Sequence, residues 1–96
     1  MKITHIIWLA RFVEKLERKH NVSVEEVEQV LAKRPRIQFV ERGDVEGEDL
    51  YRALGRTDAG RYLVVFFVYK GEGKALIISA REMSAGEKKS YAKGKK

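Results

Sequence analysis

The chain has no cysteine. That excludes a disulfide framework, a thiolate metal centre and a cysteine nucleophile, and it accords with a reducing cytoplasm as the expected location. Histidine occurs only twice, at His5 and His20, with no carboxylate motif beside either. No metal site is therefore expected. No apolar run is long enough to span a bilayer, so no membrane association is expected. The opening "MKITHIIWLARF" has a single Lys and a short apolar stretch, then becomes charged without a small-residue cleavage site. That is not the pattern of a secretory signal. The "GEG" at 71–73 lacks the strand, spacing and lysine of a nucleotide-binding loop, so no cofactor is expected. Proline occurs once, at Pro35, and no segment repeats.

What is present is basic charge. The 96 residues carry a formal net charge of +6, and the isoelectric point is near 9.7. A polyanionic partner follows, either nucleic acid or an acidic protein. Part of the excess lies in the closing "EKKSYAKGKK", which holds five lysines. Residues 93–96 are expected to be a flexible lysine-rich tail, and residues 1–92 a single domain with one core.

Hydrophobic spacing divides the chain into elements. Ile6, Leu9, Phe12, Val13 and Leu16 share one helical face, although "KITHIIW" also reads as a short strand. In "NVSVEEVEQVLAKRP", Ser23 and Glu26 form a capping box, Val24, Val27, Val30 and Leu31 make an apolar stripe, and Pro35 ends the helix. "RIQFVE" alternates as a strand does, "DLYRALG" is a second strand, and "RTDAG" suits a tight reversal. "RYLVVFFVY" is apolar almost throughout, as in a central strand covered on both faces. "ALIISAR" is the last strand. Ser84 and Glu87 then repeat the capping-box signature before a short helix through Tyr91. The predicted architecture is α+β: N-terminal helices on one face of an antiparallel meander sheet, closed by a short C-terminal helix.

A hairpin centred on Gly71 and Glu72 would set Arg61 opposite Arg81 or its neighbour, both at one end of the sheet. Two such guanidiniums repel unless an anion or carboxylate lies between them, and their planar forks suit a phosphate. Equally, they can pair with Glu41, Glu48 or Glu82 and serve only solubility. Tyr91 has two readings, an acid or phosphate donor and a side chain that seals a helix against the sheet. His20, after Lys19 at a helix end, can satisfy terminal carbonyls or transfer protons near neutral pH. Trp8 and Tyr62 are expected in the core.

Three stretches together resemble the BrnT-type toxins of type II toxin–antitoxin systems. "KHNVSVEEVEQVL" following Trp8 is similar to that family's front, "DLYRALGRTDAGRYLVVFF" to its middle, and "LIISAREMSAGEKKSY" to its closing signature. The likeness runs from Trp8 to Tyr91. It implies a RelE-like ribonuclease fold with no cofactor, in which a ribose 2′-hydroxyl attacks the adjacent phosphate without a metal and translation is inhibited. It also implies an RNA substrate and a cognate DNA-binding antitoxin, with a toxin–antitoxin heterotetramer as the assembly. By position, the resemblance assigns catalysis to Lys19, His20, Arg61, Arg81 and Tyr91. Arg61 and Arg81 stabilise the phosphate, Lys19 or His20 acts as base or contact, and Tyr91 is the acid or a positioning group. Arg52, Arg56 and Lys88 are the candidate RNA contacts.

The chain departs from that pattern at Leu50, where family members often carry Arg. Arg52 could compensate only from the same strand face. Asn21 replaces a common Gly, and Asn tolerates the left-handed conformation such a position can require. The Leu50 change keeps an alternative open: a catalytically weak or inactive RelE-like module that binds nucleic acid or antitoxin.

Overall fold

The computed structural model describes residues 1–94. Eight elements follow in order: β1 (His5–Ile7), α1 (Ala10–His20), α2 (Val24–Ala32), β2 (Arg36–Glu41), β3 (Leu50–Arg56), β4 (Tyr62–Gly71), β5 (Lys74–Glu82) and α3 (Ala85–Gly94). The last two residues of the expected lysine-rich tail lie outside the described residues, while Lys93 and Gly94 close α3.

The five strands form one sheet in the order β1-β5-β4-β3-β2. β2 to β5 are an antiparallel meander, as expected. β1 adds a parallel edge next to β5, so the sheet is mixed rather than wholly antiparallel. Ile6 therefore belongs to a strand, and the first helix begins only at Ala10. Backbone bonds from Thr4 and His5 to the Gly73 oxygen, at 2.8 and 3.1 Å, fasten this edge. Gly73 has φ +79°, and a Cβ there would collide with the Thr4 hydroxyl oxygen. Both facts require glycine at this turn.

Local chemistry explains the helices. Ser23 accepts from the Glu26 amide at 3.1 Å, and Glu26 accepts from the Ser23 amide at 3.0 Å. Asn21 takes the left-handed conformation after α1, with φ 52°, so the chain can turn at once into α2. The main core lies between α1, α2 and one sheet face. Leu16, Val22, Val27, Val30 and Leu31 meet Ala53, Leu63, Val65, Phe67, Ala75, Ile77 and Ala80 there. Trp8 packs against its rim.

α3 does not join the other two helices. It covers the opposite sheet face, where Tyr91 meets Leu54, Val64 and Met83. The two N-terminal helices thus share one face, as expected, and the closing helix takes the other. Strand alternation sends Leu54 and Val64 away from the main core, and they need an apolar cover of their own. Among the described residues, Tyr91 is the only buried one of α3.

The final hairpin turns on Glu72 and Gly73, because Gly71 pairs with Lys74. Single-residue irregularities at Lys70 and Ile78 offset one another, and Val64 lies opposite Arg81 while Leu63 lies opposite Glu82. This register decides which side chains can meet.

Candidate functional site

Arg61 heads the row Leu63, Val65, Phe67, on the side of α1 and α2. Its Nη1 donates to the Asn21 carbonyl at 2.8 Å and to both Glu26 oxygens at 3.0 and 3.1 Å. Its Nε donates to Glu82 Oε2 at 3.0 Å. Burial opposes the charge on Arg61, but hydrogen bonds to Glu82 and Glu26 outweigh it and hold its pKa above the ordinary value. Burial likewise opposes the charge on Glu26, and hydrogen bonds from Ser23 and Arg61 reverse the effect, leaving its pKa below the usual carboxylate range. Arg61 thus ties the α1–α2 corner to the sheet.

Arg81 leaves β5 on the other face. Its guanidinium grips Glu87 at both ends, Nη1 to Oε1 at 2.7 Å and Nη2 to Oε2 at 2.9 Å. Nη1 also donates to the Glu82 carbonyl at 3.1 Å. The guanidinium carbon stands 5.5 Å from the centre of the Phe66 ring. Hydrogen bonding from Arg81 is the main reason the Glu87 carboxyl is pushed down to about 2. The shared Arg61–Arg81 phosphate pocket expected from the hairpin does not form. Leu63 lies opposite Glu82 and Val64 opposite Arg81, so Arg61, two residues before Leu63, shares its face with Glu82 while Arg81 shares the other with Val64.

A different arginine joins Arg81. Arg52 shares its strand face with Leu50, opposite Phe66 of β4, and donates from Nη1 to the same Glu87 Oε2 at 3.3 Å. Its Nε is held by Gln38 at 2.8 Å. Arg56, four positions along β3, stacks over the Tyr62 ring at 4.6 Å, and the Lys88 ammonium stands 5.4 Å from that ring's centre. Tyr62 thus packs beneath α3 rather than in the main core. Among the described residues neither Arg56 nor Lys88 is in an ion pair. A shallow depression along α3, lined by Arg36, Lys89, Ser90 and Lys93 among others, extends the basic surface.

The candidate residues therefore fall into two groups. Arg81, Arg52, Arg56, Lys88 and Tyr91 gather at α3. Lys19, His20 and Arg61 stand at the α1–α2 corner behind the sheet. Lys19 is exposed and His20 half-buried in the last turn of α1, where basic groups complement the helix dipole. Tyr91 is buried, and its ring meets Tyr62 edge-on at 6.1 Å between centroids, the arrangement of a packing anchor. Sequence reasoning missed Glu87, Gln38 and Phe66 as parts of the site. Glu87 was visible only as the third residue of a capping box, a role it does fill: its Oε1 accepts from the Ser84 amide at 2.8 Å.

Chemically, the α3 face can hold an anion by paired forks, can flank it with cations, and offers aromatic surface. Among the described residues no group of three His, Asp or Glu side chains is placed to hold a metal ion, and no helix is long and apolar enough to cross a membrane.

No curated protein sequence matches the chain. Among solved structures, the ribonuclease toxin BrnT of Brucella abortus shares the fold, with a TM-score of 0.60 at 19% identity over 84% of this chain and 99% of that one. The family model of the BrnT ribonuclease toxin of type II toxin–antitoxin systems matches residues 11–87. By that match across most of its length, the chain belongs to the BrnT family of ribonuclease toxins, whose members act within type II toxin–antitoxin pairs.

Proposed function

We propose that this chain is a cytoplasmic endoribonuclease that cleaves RNA without a metal ion, and so inhibits translation unless its antitoxin is bound. The observation that carries the reading is the convergence of Arg52, Arg56, Arg81 and Lys88 on one face, beside the rings of Tyr62 and Phe66. Single-stranded RNA calls for that combination, because cations track its backbone and aromatic rings stack its bases.

In the proposed reaction the ribose 2′-hydroxyl gives its proton to solvent water as its oxygen attacks the adjacent phosphorus, and the bond to the 5′-oxygen of the next nucleotide breaks. Arg81, supported by Arg52, stabilises the charge that grows on the phosphoryl oxygens. Lys88, exposed at the edge of the same face, is proposed to protonate the leaving oxygen. Tyr91 positions α3 rather than transferring a proton. Lys19, His20 and Arg61 maintain the α1–α2 corner. The partner is a DNA-binding antitoxin whose toxin-facing surface carries acidic and apolar residues, and the complex is a heterotetramer.

A second reading, that of a binding module with little activity, draws on Leu50 and on the hold Glu87 has on Arg81. Incubating purified protein with RNA in excess chelator separates the two. Cleavage that disappears in Arg81→Ala supports the enzyme. RNA binding without cleavage, and without growth arrest on expression, supports the module.

A further inference from the structure

Glu87 makes contacts that helix capping does not require. A capping box needs one carboxylate oxygen on the Ser84 amide, and Oε1 supplies it at 2.8 Å. Yet the carboxylate also takes both ends of Arg81 and one end of Arg52, with Oε2 shared between the two arginines at 2.9 and 3.3 Å. Glu87 is mostly buried, at 16% side-chain exposure, while Arg81 and Arg52 remain 39% and 32% exposed. The guanidiniums are also held by groups other than Glu87. Gln38 orients Arg52, and the Glu82 carbonyl and Phe66 ring orient Arg81. Their directions would therefore persist if the carboxylate left.

A carboxylate and a phosphate present the same edge of two oxygens to a guanidinium fork. We infer that Arg52 and Arg81 form a phosphate-oxyanion subsite that Glu87 fills in the unliganded protein, so that an incoming phosphate must displace this internal carboxylate. The subsite's ligand class, an RNA phosphodiester, rests on the ribonuclease reading above; the displacement itself does not. Release of Glu87 is a side-chain rotation. α3 stays anchored by Tyr91 among Leu54, Val64 and Met83, and by Arg36, which donates to the Ser90 carbonyl at 3.1 Å. The built-in acid would make the subsite selective for ligands whose neighbouring phosphates also engage Arg56 and Lys88, since a lone small anion would compete poorly.

The test titrates inorganic phosphate into the full chain and follows the arginine side-chain Nε–H resonances by NMR. In the unaltered protein the Arg52 and Arg81 signals should move little. In Glu87→Gln, which can still cap α3, they should move saturably, with an apparent affinity at least tenfold higher, while Arg61 stays still. Glu82→Gln removes the same charge from the opposite face and should leave Arg52 and Arg81 unresponsive. If Glu87→Gln melts too low for the titration, Glu87→Asp, which draws the carboxylate back by one methylene, carries the same comparison. A folded Glu87 variant whose Arg52 and Arg81 signals respond no more than those of Glu82→Gln overturns the inference. A responsive subsite in a protein that leaves RNA intact would remove the ribonuclease reading alone. A silent subsite in an active ribonuclease would remove the displacement alone.

Discussion

Arg61 and Arg81 hold the same residue from opposite faces of the sheet. Arg61 binds the Glu82 carboxylate at 3.0 Å, and Arg81 binds the Glu82 backbone oxygen at 3.1 Å. One strand residue thus separates a structural clamp from a candidate anion site.

The clamp leads to the first expectation. Arg61→Ala leaves Glu26 at the end of the central strand without its cation and removes the bond to the Asn21 carbonyl. The loss should be about 1–3 kcal/mol, because the pair is about three-quarters shielded and multiply bonded. Thermal melting should show a clear drop, and the refolded variant should still cleave RNA. An unchanged melting temperature would contradict the clamp.

The pair at α3 should show in the pH dependence of stability. Glu87 titrates near 2 in the folded chain against an ordinary 4.5, so its folded pKa is depressed. A depressed carboxylate stabilises above its unfolded pKa, and that contribution is lost as pH falls through the folded value. The stability gap between the unaltered chain and Glu87→Gln should therefore be full above about pH 5 and shrink to nothing toward pH 2. Solvent around the part-exposed Arg81 limits the full gap to the order of 1 kcal/mol. A gap that grows on acidification would contradict the pairing.

Much of the fold is legible in the sequence. Ser23 with Glu26 and Ser84 with Glu87 mark two helix starts, and the apolar run after Arg61 marks the central strand. β1 reads equally as helix or strand because three residues of edge strand are too short for either period to show. The site is far less legible, because it depends on strand parity. Gly73, as the second turn residue after Glu72, is the signal for the true hairpin centre, since tight hairpins favour glycine there. A turn at Gly71 and Glu72 would shift the pairing by two residues and keep both faces; only a three-residue loop there would bring Arg61 and Arg81 to one face. Nothing local tells α3 which face to cover. That follows from Leu54 and Val64 needing a lid, a tertiary requirement.

Tyr91 separates packing from chemistry. Tyr91→Ala opens the small cluster under α3 and should cost about 3–4 kcal/mol. Tyr91→Phe keeps the ring and should cost much less, with cleavage reduced by less than about tenfold. A Phe variant of normal melting temperature whose cleavage fell by about 100-fold or more would make the hydroxyl an acid after all.

RNA binding should depend steeply on salt. Replacing Arg56 or Lys88 by Ala should weaken binding of a non-cleavable single-stranded RNA evenly across sequences. Each such replacement should also lower the log–log salt slope by about one, because one fewer cation then neutralises a phosphate. Arg18→Ala, at an exposed helix position paired with Glu14, should leave the slope unchanged. Equal slopes in all three variants would remove RNA from the α3 face.

The most direct measurement is single-turnover RNA cleavage in excess chelator by the unaltered chain, Arg81→Ala and Arg61→Ala, each first shown to be folded. Cleavage at the α3 face requires that Arg81→Ala lose about 100-fold or more while Arg61→Ala stays within about tenfold. Full activity in folded Arg81→Ala, or loss confined to Arg61→Ala, would contradict it.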